Sequence, residues 1–238
     1  ALQNSNNDQK LSDSLANAND VLLALYLEPG APQGNPDQLL PAYVLSNSLS
    51  NVHPADGELA LPKASRSVLF PIPLLGAQAL ALGHLNHFPE MDGAVRSDPL
   101  VVSYYDQYYP SLSLMLAAKS LNLAAKDIQV NLGEGVRVGN LTVATDTHMQ
   151  MRSFFYADKD AQAAFPMDSF YDVYTGKISA NKYKDKIVLI GASAAGVGSM
   201  QVTPTSSGMA PVMILAHALS SILQGDYFVV PVWSSVVE

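Results

Sequence analysis

The sequence predicts an α/β domain with a mixed, largely parallel sheet flanked by helices, and three observations carry that reading. Short apolar runs alternate with helix-like stretches along the chain, the order in which crossover helices cover a parallel sheet. Two of the runs, residues 21–27 (VLLALYL) and 186–190 (KIVLI), are continuous rather than alternating, as expected of strands covered on both faces. Gly139-Asn140 separates two further short runs; this two-residue hairpin signal makes the sheet mixed.

Taken in order, residues 8–19 read as a helix: Leu11, Leu15 and Ala18 share one face, Asn7 or Asp8 can cap it, and Asn19-Asp20 ends it. Leu11 and Leu15 are expected to face the core. After the first apolar run, residues 28–70 mix prolines and glycines into a polar background. They are predicted to be an irregular excursion with one short strand at Tyr43-Val44-Leu45. Residues 72–82 read as a helix ended by Gly83, residues 84–88 as a strand, and Pro89 to Gly93 as a turn. A strand over 100–104 precedes a helix opened by Pro110 and running to about Leu121. Strands follow at 128–132, 136–138 and 141–144. Asp168 is placed to cap a short helix ending at Gly176, and a helix over 211–223 is closed by Gly225. One domain spans 1–238.

Composition narrows the function. Charged residues are 14% of the chain, well under the roughly 25% typical of globular domains. With a formal charge of −8 and no dense Lys/Arg cluster, nucleic acid is excluded as a partner, because phosphate contacts need clustered cations. The absence of cysteine removes disulfides, thiolate catalysis and Cys-ligated metals. No run of 18 apolar residues is present, so no bilayer span is predicted. The opening Ala1-Leu2-Gln3 reads as an excised piece. The apolar stretch from Tyr227 to Trp233, within 227–238, reads as the approach to a following membrane helix.

The glycine-rich loop from Gly191 to Gly198 has the composition of a phosphate cradle, but Val197 and Gly198 stand where a Walker loop needs Lys and Ser/Thr. Thr203-Pro204 and Ser206-Ser207-Gly208 separate it from the next helix, so the dinucleotide pattern fails as well. Ser193 resembles a nucleophile elbow, yet Ala195 replaces the last glycine and no acid precedes the only later histidine, His217. His84 and His87 with Glu90 and Asp92 have metal-ligand chemistry, but on a strand residues three apart point to opposite faces. Neither catalysis nor a metal or cofactor is therefore expected.

Other motifs resemble a known family. Asn86, Pro89, Asp92-Gly93, Arg96 and Pro99-Leu100, followed by Tyr109-Pro-Ser-Leu112, look like its N…D-G-V-x-R-x-x-P-L and Y-x-S-L signatures. Lys184 to Gly196 is very similar to G-K-I-V-L-I-G-A-T-A-x-G, and Thr203-Pro204 to its T-P. The chain thereby resembles the CHASE sensory domain, class two. That resemblance implies an α/β sensor on the periplasmic side of the bacterial inner membrane, with residues 8–19 as a membrane-proximal helix. It implies no enzymatic activity, and output through a cytoplasmic cyclase, kinase or diguanylate cyclase. A small-molecule or protein signal is expected as partner, together with a homodimer; a dimerisation and spacing module without ligand is the alternative, and a hydrolase or nucleotide-binding enzyme the remote one. Ser193, Ala194, Gly196, Ser199 and Asn86 are the expected ligand-binding residues. Asp92, Gly93, Arg96, Gly191, Thr203 and Pro204 are expected to be structural. Met213, Leu215 and His217 replace the family's Glu, His and Asn, altering polar positions near the expected pocket.

Overall fold

The computed structural model describes residues 7–33, 39–54, 62–158, 163–194 and 197–229. Its first half runs α1 (Asn7–Ala18), β1 (Leu22–Pro29), α2 (Ala42–Leu45), β2 (Asn51–His53), β3 (Ser65–Leu69), α3 (Pro73–Gly76), β4 (Ala81–His84), β5 (Ser97–Pro99), β6 (Val101–Tyr104), β7 (Gln107–Pro110) and α4 (Leu112–Ser120). Then come β8 (Ile128–Asn131), β9 (Gly135–Val138), β10 (Leu141–Ala144), β11 (Gln150–Ser153), α5 (Phe170–Tyr174), β12 (Gln201–Thr203), β13 (Ser206–Met209), α6 (Pro211–Gln224) and β14 (Tyr227–Phe228). No helix among the described residues is long and apolar enough to cross a membrane.

The α/β class holds, and the sheets are mixed. Their orders are β3-β1-β4, β10-β9-β8-β2 and β14-β11-β5, with two separate hairpins, β6–β7 and β12–β13. Parallel pairing is found between β1 and β4 and between β2 and β8; the remaining ladders among the described strands are antiparallel. The largely parallel expectation is thus met only in part. Strands joined by a few residues, such as β9 and β10 across Gly139-Asn140, can pair only antiparallel, and the sequence contains more of these tight links than crossovers.

Helix α4 is the internal axis. Ser111 caps it, its hydroxyl accepting from the Leu114 N–H, and Leu112, Ser113, Leu114, Met115, Ala117 and Ala118 are all buried. A helix covered on nearly every side belongs inside the core rather than on its surface. One face meets α6, while β1 and β4 lie against another. Gly83 on β4 makes the close approach possible: a Cβ there would stand 2.6 Å from the Leu112 Cα. Pro110 ends β7 instead of opening the helix, because its place in the hairpin ladder is opposite Val101.

Several expectations are corrected. Residues 43–45 lie in a single helical turn, α2, started by the Pro41 carbonyl accepting from Val44 and Leu45; the excursion's strands are β2 and β3. The helix expected over 72–82 is one turn, α3. Residues 81–84 are instead the buried strand β4, and the strand expected at 84–88 ends at its first residue. A short apolar run fits either state, and here pairing with β1 decides it. Ser169 takes the cap position of α5 without a side-chain bond, while Asp168 accepts from Lys182 and Tyr183. In α1, Leu15 is buried but Leu11 is 49% exposed; Ser12 turns inward and donates to the Leu74 carbonyl. Residues 186–190 are not a strand: Ile187, Val188 and Ile190 are 42%, 47% and 79% exposed. Only Leu189 packs on the main core, and no described strand flanks the segment to supply a ladder. The membrane approach expected over 227–238 begins as β14, followed by the exposed Val229; residues 230–238, with Trp233, and Ala1 lie outside the described residues.

Candidate functional site

A cleft of about 400 Å³ opens beside the first half of α6. Three stretches of chain build most of it. Met213 and His217 come from α6, one helical turn apart on one face, with Ala210 at the cap position just before it. The β12–β13 hairpin brings Met200, Thr205, Ser206, Gly208 and Met209. The segment leaving β11 brings Tyr156, Ala157 and Asp158, with Ala164, Met167 and Ser193 completing the described lining. The hairpin is held by the Val95 N–H donating to the Val202 carbonyl at 2.8 Å. Met209 packs on a small cluster of Val95, Phe155 and Ile214, which anchors the hairpin to α6.

His217 is the best-defined polar group in the cleft. It is buried, and its Nδ1 accepts from the Tyr156 N–H at 3.2 Å. That bond leaves the ring proton on Nε2, making His217 a neutral donor. Tyr156 stacks on the imidazole with ring centroids 5.9 Å apart, and Phe155 and Phe165 flank it. Burial holds its pKa down, to about 4, against the opposing pull of Asp158. It is therefore uncharged at neutral pH.

From this cleft two paths lead to β14. The Tyr156 hydroxyl donates to Asp226 at 3.1 Å, between the end of α6 and β14. Ser221 ties α6 to the cleft segment: its hydroxyl accepts from the Phe154 N–H at 3.0 Å and donates to the His217 carbonyl at 2.8 Å. β14 in turn pairs with β11 at Phe228–Arg152 and Tyr227–Ser153. The strand that carries Tyr156 out of the core thus also carries β14.

The residues singled out from the sequence fall in three places. Ser193 lines the cleft, and Gly191 sets its position: a Cβ there would meet Val212 at 2.7 Å, so the extended segment lies directly on α6. The Ala194 carbonyl accepts from the Val197 N–H; Gly196 lies outside the described residues. Ser199 is exposed and accepts from Gln201. Thr203 is buried, its hydroxyl donating to the Ser206 carbonyl, and Pro204 follows in the hairpin turn. Met213 and His217 line the cleft, whereas Leu215 is buried on another face of α6.

Asn86 stands elsewhere. Its buried amide accepts from the Leu27 N–H at 3.0 Å and donates to the Leu27 carbonyl at 2.5 Å, completing the backbone bonding of β1. Around Asp92 and Gly93, Arg96 donates to both Asp92 oxygens and to Glu90, and Arg152 approaches Glu90 at 3.5 Å. The Arg96 bonds and the Ala94 N–H hold the Asp92 carboxyl down, at about 2. His84 is buried, its Nδ1 accepting from the Asn86 N–H, and burial lowers its pKa to about 3. No group of three or more His, Cys, Asp or Glu among the described residues is arranged to hold a metal.

Sequence reasoning missed Tyr156, Asp226 and Ser221. Their roles depend on β11 meeting α6 and β14 across about 70 residues, and no local pattern announces such a contact.

Comparison with curated proteins and with solved structures gives no match, whereas the CHASE2 domain matches over residues 2–238. The chain belongs to the CHASE2 domain family of extracytoplasmic sensor domains.

Proposed function

We propose that this domain senses a small ligand in the α6 cleft and transmits occupancy to β14. In the receptor, β14 would pass the signal toward a membrane segment and a cytoplasmic cyclase, kinase or diguanylate cyclase. The observation that carries the reading is Tyr156: its ring stacks on His217 inside the cleft while its hydroxyl bonds Asp226 beside β14. A ligand that displaces Tyr156 or His217 must strain that bond, and a signalling shift needs only such a differential contact. The polar groups offered are neutral donors, with Asp158 the one carboxylate of the described lining and no Lys or Arg among it. That set disfavours nucleotides, whose phosphates need cations, so ATP, GTP and NAD should bring no response.

A thermal-shift screen of metabolites and metal ions tests the reading. A stabilising compound is expected, with its effect lost in Ser206→Trp, which fills the cleft; at 100 times its Kd it adds about 2.7 kcal/mol. A compound equally stabilising for that variant places the site elsewhere.

A second reading, a dimerisation and spacing module, is favoured by one observation. Phe170, Tyr171 and Tyr174 of α5 are 67%, 70% and 80% exposed, near in sequence to the exposed Ile187, Val188 and Ile190. Light scattering across a concentration series measures this; a monomer throughout speaks against it.

A further inference from the structure

Four of the chain's eight methionines, Met167, Met200, Met209 and Met213, line this one cleft of fourteen described residues. An even spread would place fewer than one there. The other four are elsewhere: Met115, Met149 and Met151 are buried in the main core, and Met91 is fully exposed. The four arrive from separate elements. Met213 is on α6, Met209 ends β13, and Met200 stands just before β12, with its Cβ beside Gly208. Met167 lies on the segment before α5.

Thioether sulfur is a soft, polarisable donor without charge, and it selects soft cations such as Cu(I). The other donor chemistry on offer rules out the commoner ions. Ca²⁺ and Mg²⁺ require several oxygen ligands, and Asp158 is the only carboxylate of the described lining. Zn²⁺ is held by Cys, His and carboxylate. The chain has no cysteine, and the His217 Nδ1 is engaged by the Tyr156 N–H, so Nε2 carries its proton and offers no lone pair. A carboxylate beside the thioethers and a chain of net charge −8 both favour a cation over an anion.

We infer that the cleft is a binding site for a soft monovalent cation, Cu(I) or its analogue Ag(I), held by the thioethers of Met200, Met209, Met213 and Met167. The inference rests on the cleft being the sensing site and names its signal class. Entry of the ion draws Met213 of α6 toward Met200 and Met209 of the hairpin. The one-turn spacing of Met213 and His217 carries that displacement to the imidazole on which Tyr156 stacks.

The test is Ag(I) titration of the 238-residue chain, followed by Cu(I) competition against a chromogenic chelator without oxygen. Met200→Leu and Met213→Leu keep the side-chain volume and remove the donor, so folding is retained; circular dichroism checks this. Wild type should take up one equivalent of either ion, and each variant should bind roughly tenfold more weakly or worse. Met91→Leu, an exposed thioether that does not line the cleft, should bind as wild type does. No uptake by wild type, or equal uptake by the Met200→Leu/Met213→Leu double variant, overturns the inference. If neither ion binds while an organic compound stabilises wild type but not Ser206→Trp, the soft-cation assignment fails and the sensing cleft stands.

Discussion

Asn86 and Asp98 show how much single buried polar groups do in a chain poor in charge. Asn86 satisfies both backbone groups of Leu27 where β1 outruns its parallel neighbour. Asn86→Ala leaves a buried N–H and a buried carbonyl unpaired, at about 1–3 kcal/mol each, so urea unfolding should show a loss of roughly 2–6 kcal/mol. A loss within about 0.5 kcal/mol would mean that water replaces the amide. Asp98 is buried in β5, where it accepts from Ser113, which is bonded in turn to Ser111. Desolvation raises its pKa to about 7, against the pull of the two serines. The folded state therefore holds this proton more tightly than the unfolded chain. Its stabilisation is complete below about pH 4 and is lost as pH rises toward about 7. Wild type minus Asp98→Asn, followed by urea unfolding from pH 4 to 7.5, should fall by a few kcal/mol; a flat difference would show the carboxylate to be solvated.

At the scale of elements, the packing of β4 on α4 fixes the relation between the two main cores. Gly83→Ala puts a methyl 2.6 Å from the Leu112 Cα and 2.9 Å from the Ser111 carbonyl, and backbone on both sides has no room to yield. Overpacking of this kind costs roughly 1–3 kcal/mol, so the denaturation midpoint should drop; an unchanged midpoint would show that α4 can slide. The same elements show what was legible in the sequence. Where local chemistry decides, the reading was mostly sound, although Pro110 ends β7 instead of opening α4 and Ser169 takes the cap position expected of Asp168. The Gly139-Asn140 hairpin formed, α6 begins at Pro211 and ends on left-handed Gly225, and α1 and β1 stand where their patterns place them. Two apolar runs that had to choose a partner were misread: residues 81–84 pair with β1 as a strand, and residues 186–190 find no described strand beside them. Of the cleft, Ser193, Met213 and His217 were visible through motif positions. Tyr156, Asp226 and the methionine convergence were not, because each depends on chains meeting far apart in sequence.

Across the whole molecule, β11 and α6 form two arms that share the cleft at one end and β14 at the other. Tyr156 closes the loop between them. In the proposed sensor this arrangement would link ligand occupancy to the last described strand without a large rearrangement, through one hydrogen bond and one short ladder. The absence of native cysteine allows a test independent of the ligand's identity. Ser206→Cys, alkylated with a bulky maleimide, fills the cleft at a single position, and Ser199→Cys, exposed and outside it, is the matched control. Hydrogen exchange at the amides of residues 226–228 is the measurement. Altered exchange is expected there for the label at 206, no change for the label at 199, and loss of the effect when Tyr156→Phe removes the hydroxyl on Asp226. Identical exchange at these amides for the two labelled proteins would contradict the proposed link.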